Sequence, residues 1–319
     1  MKAWQFVGTD KPLELNEVPE PTAGPGQVVV EVKAAGVCHS DVSALDDPGW
    51  MELFQHGLPR TMGHENAGII SEVGEGMEQW KVGDRVGLSP MMSDGDALGY
   101  GKWDGGFAPK LLATEDNLVA LPDEVPFDLG AMATDAGLTA YHAMVTKGGA
   151  KEGLKVGVIG LGGLGYIGAR VAALLGAEVY GAEINPETQK LADEIGLKDV
   201  ADSIDAFKDK ELDLIVDYAG FGTTTAQGIE TLGKFGTFVQ VGMGRLEATI
   251  STYTIIINQL TIKGSQSGTK EDLAEIYELM RSGKLNPPMN HIKHEDIPEA
   301  INKLREGGVV GRYIAEYDN

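Results

Sequence analysis

A single cysteine, Cys38, stands among 319 residues, so no intrachain disulfide can form and a zinc site built from four cysteines is excluded. A lone cysteine is ordinarily a small buried hydrophobe. No apolar run approaches the length of a helical membrane span. Residues 1–11 lack the apolar core of a signal peptide, so the expected location is the cytoplasm. Cations are scarce: 26 Lys and Arg against 48 Asp and Glu leave a formal net charge of −22, which would repel both nucleic acid and anionic membranes. Internal repeats and low-complexity segments are absent. Glycine, by contrast, is abundant at 44 residues and signals many tight turns. The length suggests about two domains, and a 42% apolar, 23% charged composition is that of a soluble globular protein.

Residues 155–183 organise the chain. A short apolar run at 156–159 reads as a buried parallel strand, followed by a turn containing Gly160, Gly162, Gly163, Leu164 and Gly165. A helix follows with Leu164, Ile167, Val171, Leu174 and Leu175 on one stripe, then a second strand at 177–182 ending at Glu183. In a dinucleotide site Gly160 makes the tight turn, Gly162 admits the pyrophosphate and Gly165 lets helix and strand pack closely. The helix N-terminus offers free N–H groups to phosphate. Glu183, about twenty residues on, is placed to accept hydrogen bonds from ribose hydroxyls. Its carboxylate would repel a 2′-phosphate, and residues 184–186 offer no cation, so the expected cofactor is NAD rather than NADP.

Before this unit, residues 1 to 110 read as short strands punctuated by Gly and Pro, the pattern of a small barrel-like β unit. Strands are expected at 27–33, 69–73, 82–87 and 107–113, and a helical stretch at 128–147. After it, strand and helix alternate, which implies a parallel sheet covered on both faces. Asn185-Pro186 reads as a helix cap followed by proline at the first helical position, with Gly196 closing that helix. Further strands are expected at 212–216, 237–241 and 260–263. Two amphipathic helices end the chain, at 269–281, capped by Thr269 with Asp272 three residues on, and at 297–305.

Two motifs in the β part carry most of the candidate ligands: Cys38-His39-Ser40-Asp41, and His64-Glu65-Asn66 between Gly63 and Gly68. With these, the segments 74–76, 82–86 and 136–141, the glycine turn, Gly264-Ser265, Gly268-Thr269-Lys270 and Gly311-Arg312 fall in one order. In that order the chain resembles the zinc-dependent, medium-chain alcohol dehydrogenase family over nearly its whole length. The resemblance implies an α/β fold: a Rossmann doubly wound parallel sheet at 143–263, and a GroES-like β-barrel catalytic domain made of 1–142 with 264–319, the cofactor lying in the cleft between them.

It further implies a catalytic zinc held by Cys38, His64 and Asp135. Asp135 is a departure, because many members have cysteine there, but a carboxylate is a competent zinc ligand. Glu65 matches the acidic neighbour of the metal, Asp41 the acid that orients the ligand histidine, and Ser40 the hydroxyl that starts the proton relay. The relay's later histidine is missing. His39 and Lys270 match positions near the cofactor phosphates, while Val241, Gly242 and Met243 match the loop that binds the carboxamide, and Ser265 belongs to the same nucleotide site. No cysteine lies between Val86 and Gly106, so the structural zinc lobe is absent and one zinc per chain is expected. Trp50, Met92 and Trp103, with His56, Met91 and Tyr100, flank the expected cleft and read equally as an apolar substrate pocket or as plain packing. His142, His291 and His294 read as surface residues.

The activity so implied is hydride transfer between NAD(H) and a primary or secondary, including aromatic, alcohol or its aldehyde or ketone. The alternatives are a metal-free enone or quinone reductase of the same superfamily, against which the Cys-His and Gly-His-Glu motifs speak, and a non-catalytic NAD-binding protein. A homodimer or homotetramer is the expected assembly, with residues 255–257 and 260–263 as candidate contacts.

Overall fold

The computed structural model describes residues 1–54 and 56–318. By internal packing the chain falls into two compact units, Met1–Asp135 with Leu273–Asn319, and Ala136–Asp272.

Strands β1 (Lys2–Phe6), β2 (Glu14–Glu17), β3 (Gln27–Val37), β4 (Arg60–Thr61), β5 (Glu65–Val73), β6 (Arg85–Leu88), β7 (Lys110–Thr114) and β8 (Leu118–Ala120) open the chain. The second unit holds β9 (Lys155–Ile159), β10 (Glu178–Ala182), β11 (Asp199–Ala201), β12 (Leu212–Asp217), β13 (Leu232–Gln240) and β14 (Thr261–Gly264). The chain returns to the first unit with β15 (Met289–Lys293) and β16 (Arg312–Glu316).

In the first unit a seven-stranded sheet runs β15-β16-β3-β5-β6-β8, with β7 also paired to β3, and a small sheet runs β2-β1-β4. β3 is the hub. Of its eleven residues only Gln27, Glu31 and Lys33 are half-buried, and the strand is wholly buried from Ala34 to Val37. Val28, Val30, Val32, Ala35 and Val37 enter a core with Phe6, Met62, Ile70, Leu88, Phe107 and Leu111. The helix Ile297–Glu306 closes this core with Ile297, Ala300, Ile301 and Leu304, the one-face spacing that marks an amphipathic helix. The helix Lys270–Arg281 buries Leu273, Ile276, Tyr277 and Met280 by the same rule.

The second unit is a six-stranded parallel sheet of order β11-β10-β9-β12-β13-β14. The order reverses at β9, as in a doubly wound dinucleotide fold. β9, β10 and β12 are buried on both faces, which explains why they read as continuous apolar runs. Asn185 Oδ1 accepts the Glu187 N–H at 3.0 Å as expected, but the helix it caps ends at Gln189, and Gly196, at φ +90°, closes a second short helix, Ala192–Ile195. Thr269 and Asp272 exchange bonds, Thr269 N–H to Asp272 Oδ2 at 3.1 Å and Asp272 N–H to Thr269 Oγ1 at 3.2 Å.

Several expectations need correction. In the helix Gly163–Leu174 the buried face is Gly165, Tyr166, Ile167, Gly168, Ala169, Val171 and Ala172, while Leu164 and Leu174 are half-buried and Leu175 is exposed. Ile167 and Val171 of the expected stripe are buried, and Gly165, Gly168, Ala169 and Ala172 beside them, rather than the leucines, complete the contact. The stretch 128–147 is helical but interrupted by π-turns at Ala133–Gly137 and His142–Lys147. β14 is an edge strand exposed throughout, and residues 255–257 lie in a helix, Thr252–Asn258, with Ile256 and Ile257 open to solvent. Among the described residues, no helix is long and apolar enough to cross a membrane.

Candidate active site

Sheet register brings the two ligand motifs together. β3 pairs antiparallel with β5 so that Gly36 faces Glu65, and with β16 so that Val37 faces Tyr313. The residue after β3 (Cys38), the residue before β5 (His64) and the first residue of β16 (Arg312) therefore meet at one end of the sheet. A side chain at Gly36 would occupy the space of the Glu65 carboxylate, so glycine is required there. Thr134 fastens the helical segment to this sheet end: its Oγ1 accepts the Asn66 N–H at 3.1 Å and donates to the Ala131 carbonyl at 2.7 Å. Asp135 follows in the π-turn, an irregularity that often re-aims a functional side chain.

Donor atoms of Cys38, His64, Glu65 and Asp135 all lie within 4.8 Å of one another. Asp135 Oδ2 is 3.5 Å from His64 Nε2 and 3.6 Å from Cys38 Sγ. Zinc bonds of about 2.3 Å to sulfur, about 2.05 Å to nitrogen and about 2.1 Å to oxygen, at tetrahedral angles, put such atoms about 3.4–3.6 Å apart. The three residues fit zinc in donor chemistry and in spacing. Asp41 Oδ1 sits 3.5 Å from His64 Nδ1, behind the imidazole, and Asp41 Oδ2 accepts the Cys38 N–H at 2.9 Å. One buried acid thus orients both the histidine and the cysteine loop.

Glu65 turns to a different partner. Arg312 Nε donates to its Oε2 at 3.0 Å and Arg312 Nη2 to its Oε1, and both side chains are buried. Arg312 Nη2 also reaches Asp135 Oδ2 at 3.5 Å. Burial pushes the Glu65 carboxyl up to about 7 against the pull of the Arg312 guanidinium, with the nearby Asp135 charge adding to the rise. Burial works the same way on Asp135, but the His64 hydrogen bond and the charges of His64 and Arg312 prevail and hold it below the usual carboxylate range. Asp135 is thereby kept as a carboxylate beside Cys38 and His64.

Ser40 Oγ stands 3.4 Å from His64 Nε2 and 3.1 Å from the Tyr100 hydroxyl, which is also 3.2 Å from Asp41 Oδ1. His39, by contrast, is exposed at the start of its helix. Trp50 approaches through Tyr100, ring centroids 6.3 Å apart. Met92 is buried, and Trp103 is half-buried with its indole N–H lacking a hydrogen-bond partner among the described residues. Sequence reasoning missed the pairing of Arg312 with Glu65 and the polar role of Tyr100. Arg312 stood out within the Gly311-Arg312 segment of the resemblance, but nothing in the sequence named Glu65 as its partner, and nothing local marks Tyr100.

In the second unit the glycine turn leaves β9 at its carboxyl end. Gly160 adopts φ +78°, and a Cβ on Gly165 would land on the Gly160 carbonyl oxygen, so both positions require glycine. Beyond Gly162 there is open space, and Gly163, Leu164 and Gly165 begin the helix. Glu183 holds this turn: Oε2 accepts the Leu161 N–H and Oε1 the Asn185 N–H, both at 2.8 Å. Val241 and Gly242 follow β13 and donate their N–H groups to the Asp217 carbonyl at 3.0 and 2.9 Å. Met243 is exposed, and Ser265, whose N–H donates to the Gln240 carbonyl at 3.0 Å, keeps a buried hydroxyl with no partner among the described residues. Lys270 opens the next helix. Apart from Lys270, these nucleotide-site candidates gather where the strands end, the location that open α/β sheets use for ligands.

The histidines expected at the surface differ. His142 is buried, with Nδ1 2.6 Å from Asp272 Oδ2; His294 is half-buried, its Nε2 3.2 Å from the Phe107 carbonyl. His291 is exposed and pairs with Asp128 at 2.9 Å.

Comparison with known proteins adds a family. Residues 24–123 match the model of the alcohol dehydrogenase GroES-like domain, and residues 163–282 match that of the zinc-binding dehydrogenase domain. An alcohol dehydrogenase of Geobacillus stearothermophilus is 31% identical over 98% of this chain and 98% of its own length, and another from that organism is 31% identical over 100% of both. Among solved structures, the alcohol dehydrogenase of Aeropyrum pernix superposes with a TM-score of 0.91 at 29% identity, covering 99% of this chain and 100% of that one. Acetophenone reductase from Geotrichum candidum, solved in complex with NAD, gives 0.88 at 27% identity over 99% and 97%. The chain belongs to the zinc-binding, GroES-like alcohol dehydrogenase family, and is an oxidoreductase of the alcohol–carbonyl class.

Proposed function

We propose that this chain exchanges hydride between NAD(H) and a primary or secondary alcohol, aromatic ones included, or the matching aldehyde or ketone, with one zinc ion held by Cys38, His64 and Asp135. The observation that carries the reading is the convergence of thiol, imidazole and carboxylate at 3.5 and 3.6 Å, with a buried acid behind the imidazole. Zinc bound there supplies Lewis acidity to the alcohol or carbonyl oxygen. Asp41, facing His64 Nδ1, favours the tautomer protonated on that nitrogen, which leaves the Nε2 lone pair for the metal. Ser40 Oγ accepts the alcohol proton, or donates one in carbonyl reduction. Arg312 neutralises Glu65 and keeps it aligned beside the ligand set.

The backbone of Gly160, Gly162, Gly163, Leu164 and Gly165 receives the pyrophosphate, with His39 and Lys270 near the phosphates. Glu183 has lone pairs left for the ribose hydroxyls after its two backbone bonds, and its charge disfavours a 2′-phosphate. Val241, Gly242, Met243 and Ser265 serve the nicotinamide side, and Trp50, Met92 and Trp103 line an apolar substrate pocket. The division of labour is a catalytic domain of 1–142 with 264–319 and a dinucleotide domain of 143–263. The enzyme acts in the cytoplasm as a homodimer or homotetramer; the open edge of β14 and the exposed Ile256 and Ile257 support self-association.

Elemental analysis of extensively dialysed protein should find about one zinc per chain, and a chelator should abolish NAD-dependent alcohol oxidation. Full activity without zinc would replace this reading by a metal-free enone or quinone reductase. A protein that binds NADH yet turns over no substrate would be a nucleotide-binding protein only.

A further inference from the structure

Tyr100 comes from the loop that follows β6, and the backbone is shaped to deliver it. It stands between Gly99 at φ +77° and Gly101 at φ +44°, and the loop is closed by Leu98 N–H to the Pro90 carbonyl and Gly99 N–H to the Trp103 carbonyl, both at 3.0 Å. The Gly101 N–H ties it to the Leu53 carbonyl at 2.8 Å. The ring packs 5.6 Å from Phe54 and 5.3 Å from the His64 imidazole, centroid to centroid, so the phenol enters the site edge already buried. Its hydroxyl then meets two oxygens, Ser40 Oγ at 3.1 Å and Asp41 Oδ1 at 3.2 Å.

A phenol has one proton for these two neighbours. The carboxylate is the stronger acceptor and has no proton of its own to offer, so Tyr100 donates to Asp41. The phenol oxygen is then free only to accept, and the neighbour that can donate to it is the Ser40 hydroxyl. With its proton turned towards Tyr100, Ser40 presents lone pairs on its other side, where His64 Nε2 lies 3.4 Å away. We infer that Tyr100 is a positioning residue which turns the Ser40 hydroxyl so that its oxygen receives the O–H of the alcohol. The order of donation is alcohol to Ser40, Ser40 to Tyr100, Tyr100 to Asp41. This rests on the reading of Ser40 as first proton acceptor. It assigns to the loop that follows β6 a task in the reaction that no residue of the Cys38 or His64 motif performs.

Tyr100→Phe keeps the ring and removes only the hydroxyl, so it tests the role in three measurements. First, kcat/KM for alcohol oxidation should fall about tenfold in the Ser40 enzyme and not fall further in a Ser40→Ala background. Second, trifluoroethanol, which has an O–H to donate, should bind the enzyme–NAD complex about tenfold more weakly, whereas dimethyl sulfoxide, which has none, should bind the enzyme–NADH complex unchanged. Third, zinc content should match wild type, separating orientation of Ser40 from loss of the metal site. Equal losses in both backgrounds, parallel weakening of both ligands, or no change at all would overturn the assignment while leaving the dehydrogenase reading intact. A wild-type enzyme that neither oxidises alcohols nor binds trifluoroethanol would sink the dehydrogenase reading, and the role of Tyr100 with it.

Discussion

Arg312 grips Glu65 through Nε and Nη2 in a buried pair, one residue from the candidate ligand His64. The two lie on different strands, neither paired with the other; β3 runs between them and sets the distance through its register with each. At the same time Arg312 Nη2 reaches Asp135, so a single cation balances two of the acids around the site.

Breaking that pair should be costly. Arg312→Ala leaves a carboxylate buried without its partner, and an unfolding titration in urea should show a loss of about 3–5 kcal/mol. The double variant Glu65→Gln with Arg312→Met should recover most of it, because neither side then carries an unpaired charge. A single variant within a few tenths of wild type would mean that Glu65, already raised to about 7 by burial, is neutralised by a proton or met by water once Arg312 is gone.

Asp135 is the unusual member of the ligand set, and substitution there should separate metal retention from fold. Asp135→Ala should lower zinc per chain after dialysis well below that of wild type, and Asp135→Cys should retain it, since thiolate is a good zinc ligand. Undiminished zinc in the alanine variant would place Glu65, rather than Asp135, in the ligand set.

Glu183 has two duties that can be told apart by kinetics. Glu183→Gln keeps an acceptor for the Leu161 N–H but removes the charge, so the preference for NAD over NADP should shrink about tenfold or more, at little cost in kcat. Glu183→Ala should raise KM for NAD about tenfold because the turn loses its brace. Unchanged coenzyme preference in the glutamine variant would remove the charge from the explanation of specificity.

Acid should weaken the second unit through Asp272. Burial opposes its charge, but bonds from Thr146 at 2.6 Å and His142 at 2.6 Å, with the Thr269 N–H, prevail and lower its pKa. A carboxyl lowered on folding adds stability above its unfolded pKa of about 3.9, and that contribution disappears as pH falls through the folded value. Asp272→Asn should therefore cost about 1–3 kcal/mol at neutral pH and progressively less below about pH 4. A penalty of the same size at pH 3 and pH 7 would show that hydrogen bonding, and not charge, is what Asp272 contributes.

The amino-acid sequence by itself determined the local elements of this protein: the glycine turn at 160–165, the caps at Asn185 and Thr269, the buried runs of the parallel sheet and the amphipathic helices near the end. Each depends on residues within a turn or two of one another, and backbone freedom, cap chemistry and apolar period are properties of such short windows. The grouping of Cys38, His64 and Asp135 was legible only by resemblance, since nothing in their spacing of 26 and 71 positions brings them together. Tertiary structure alone decided the partners of buried polar groups: Arg312 for Glu65 across 247 residues, Tyr100 for Ser40 across 60, Asp272 for His142 across 130. It also left Leu164, Leu174 and Leu175 off the buried face of the helix Gly163–Leu174, which keeps Ile167 and Val171 and adds Tyr166 and four small residues. A buried charge must find a partner wherever strand register and loop closure place one, and that choice is made by the packed sheet, not by the neighbours in the chain.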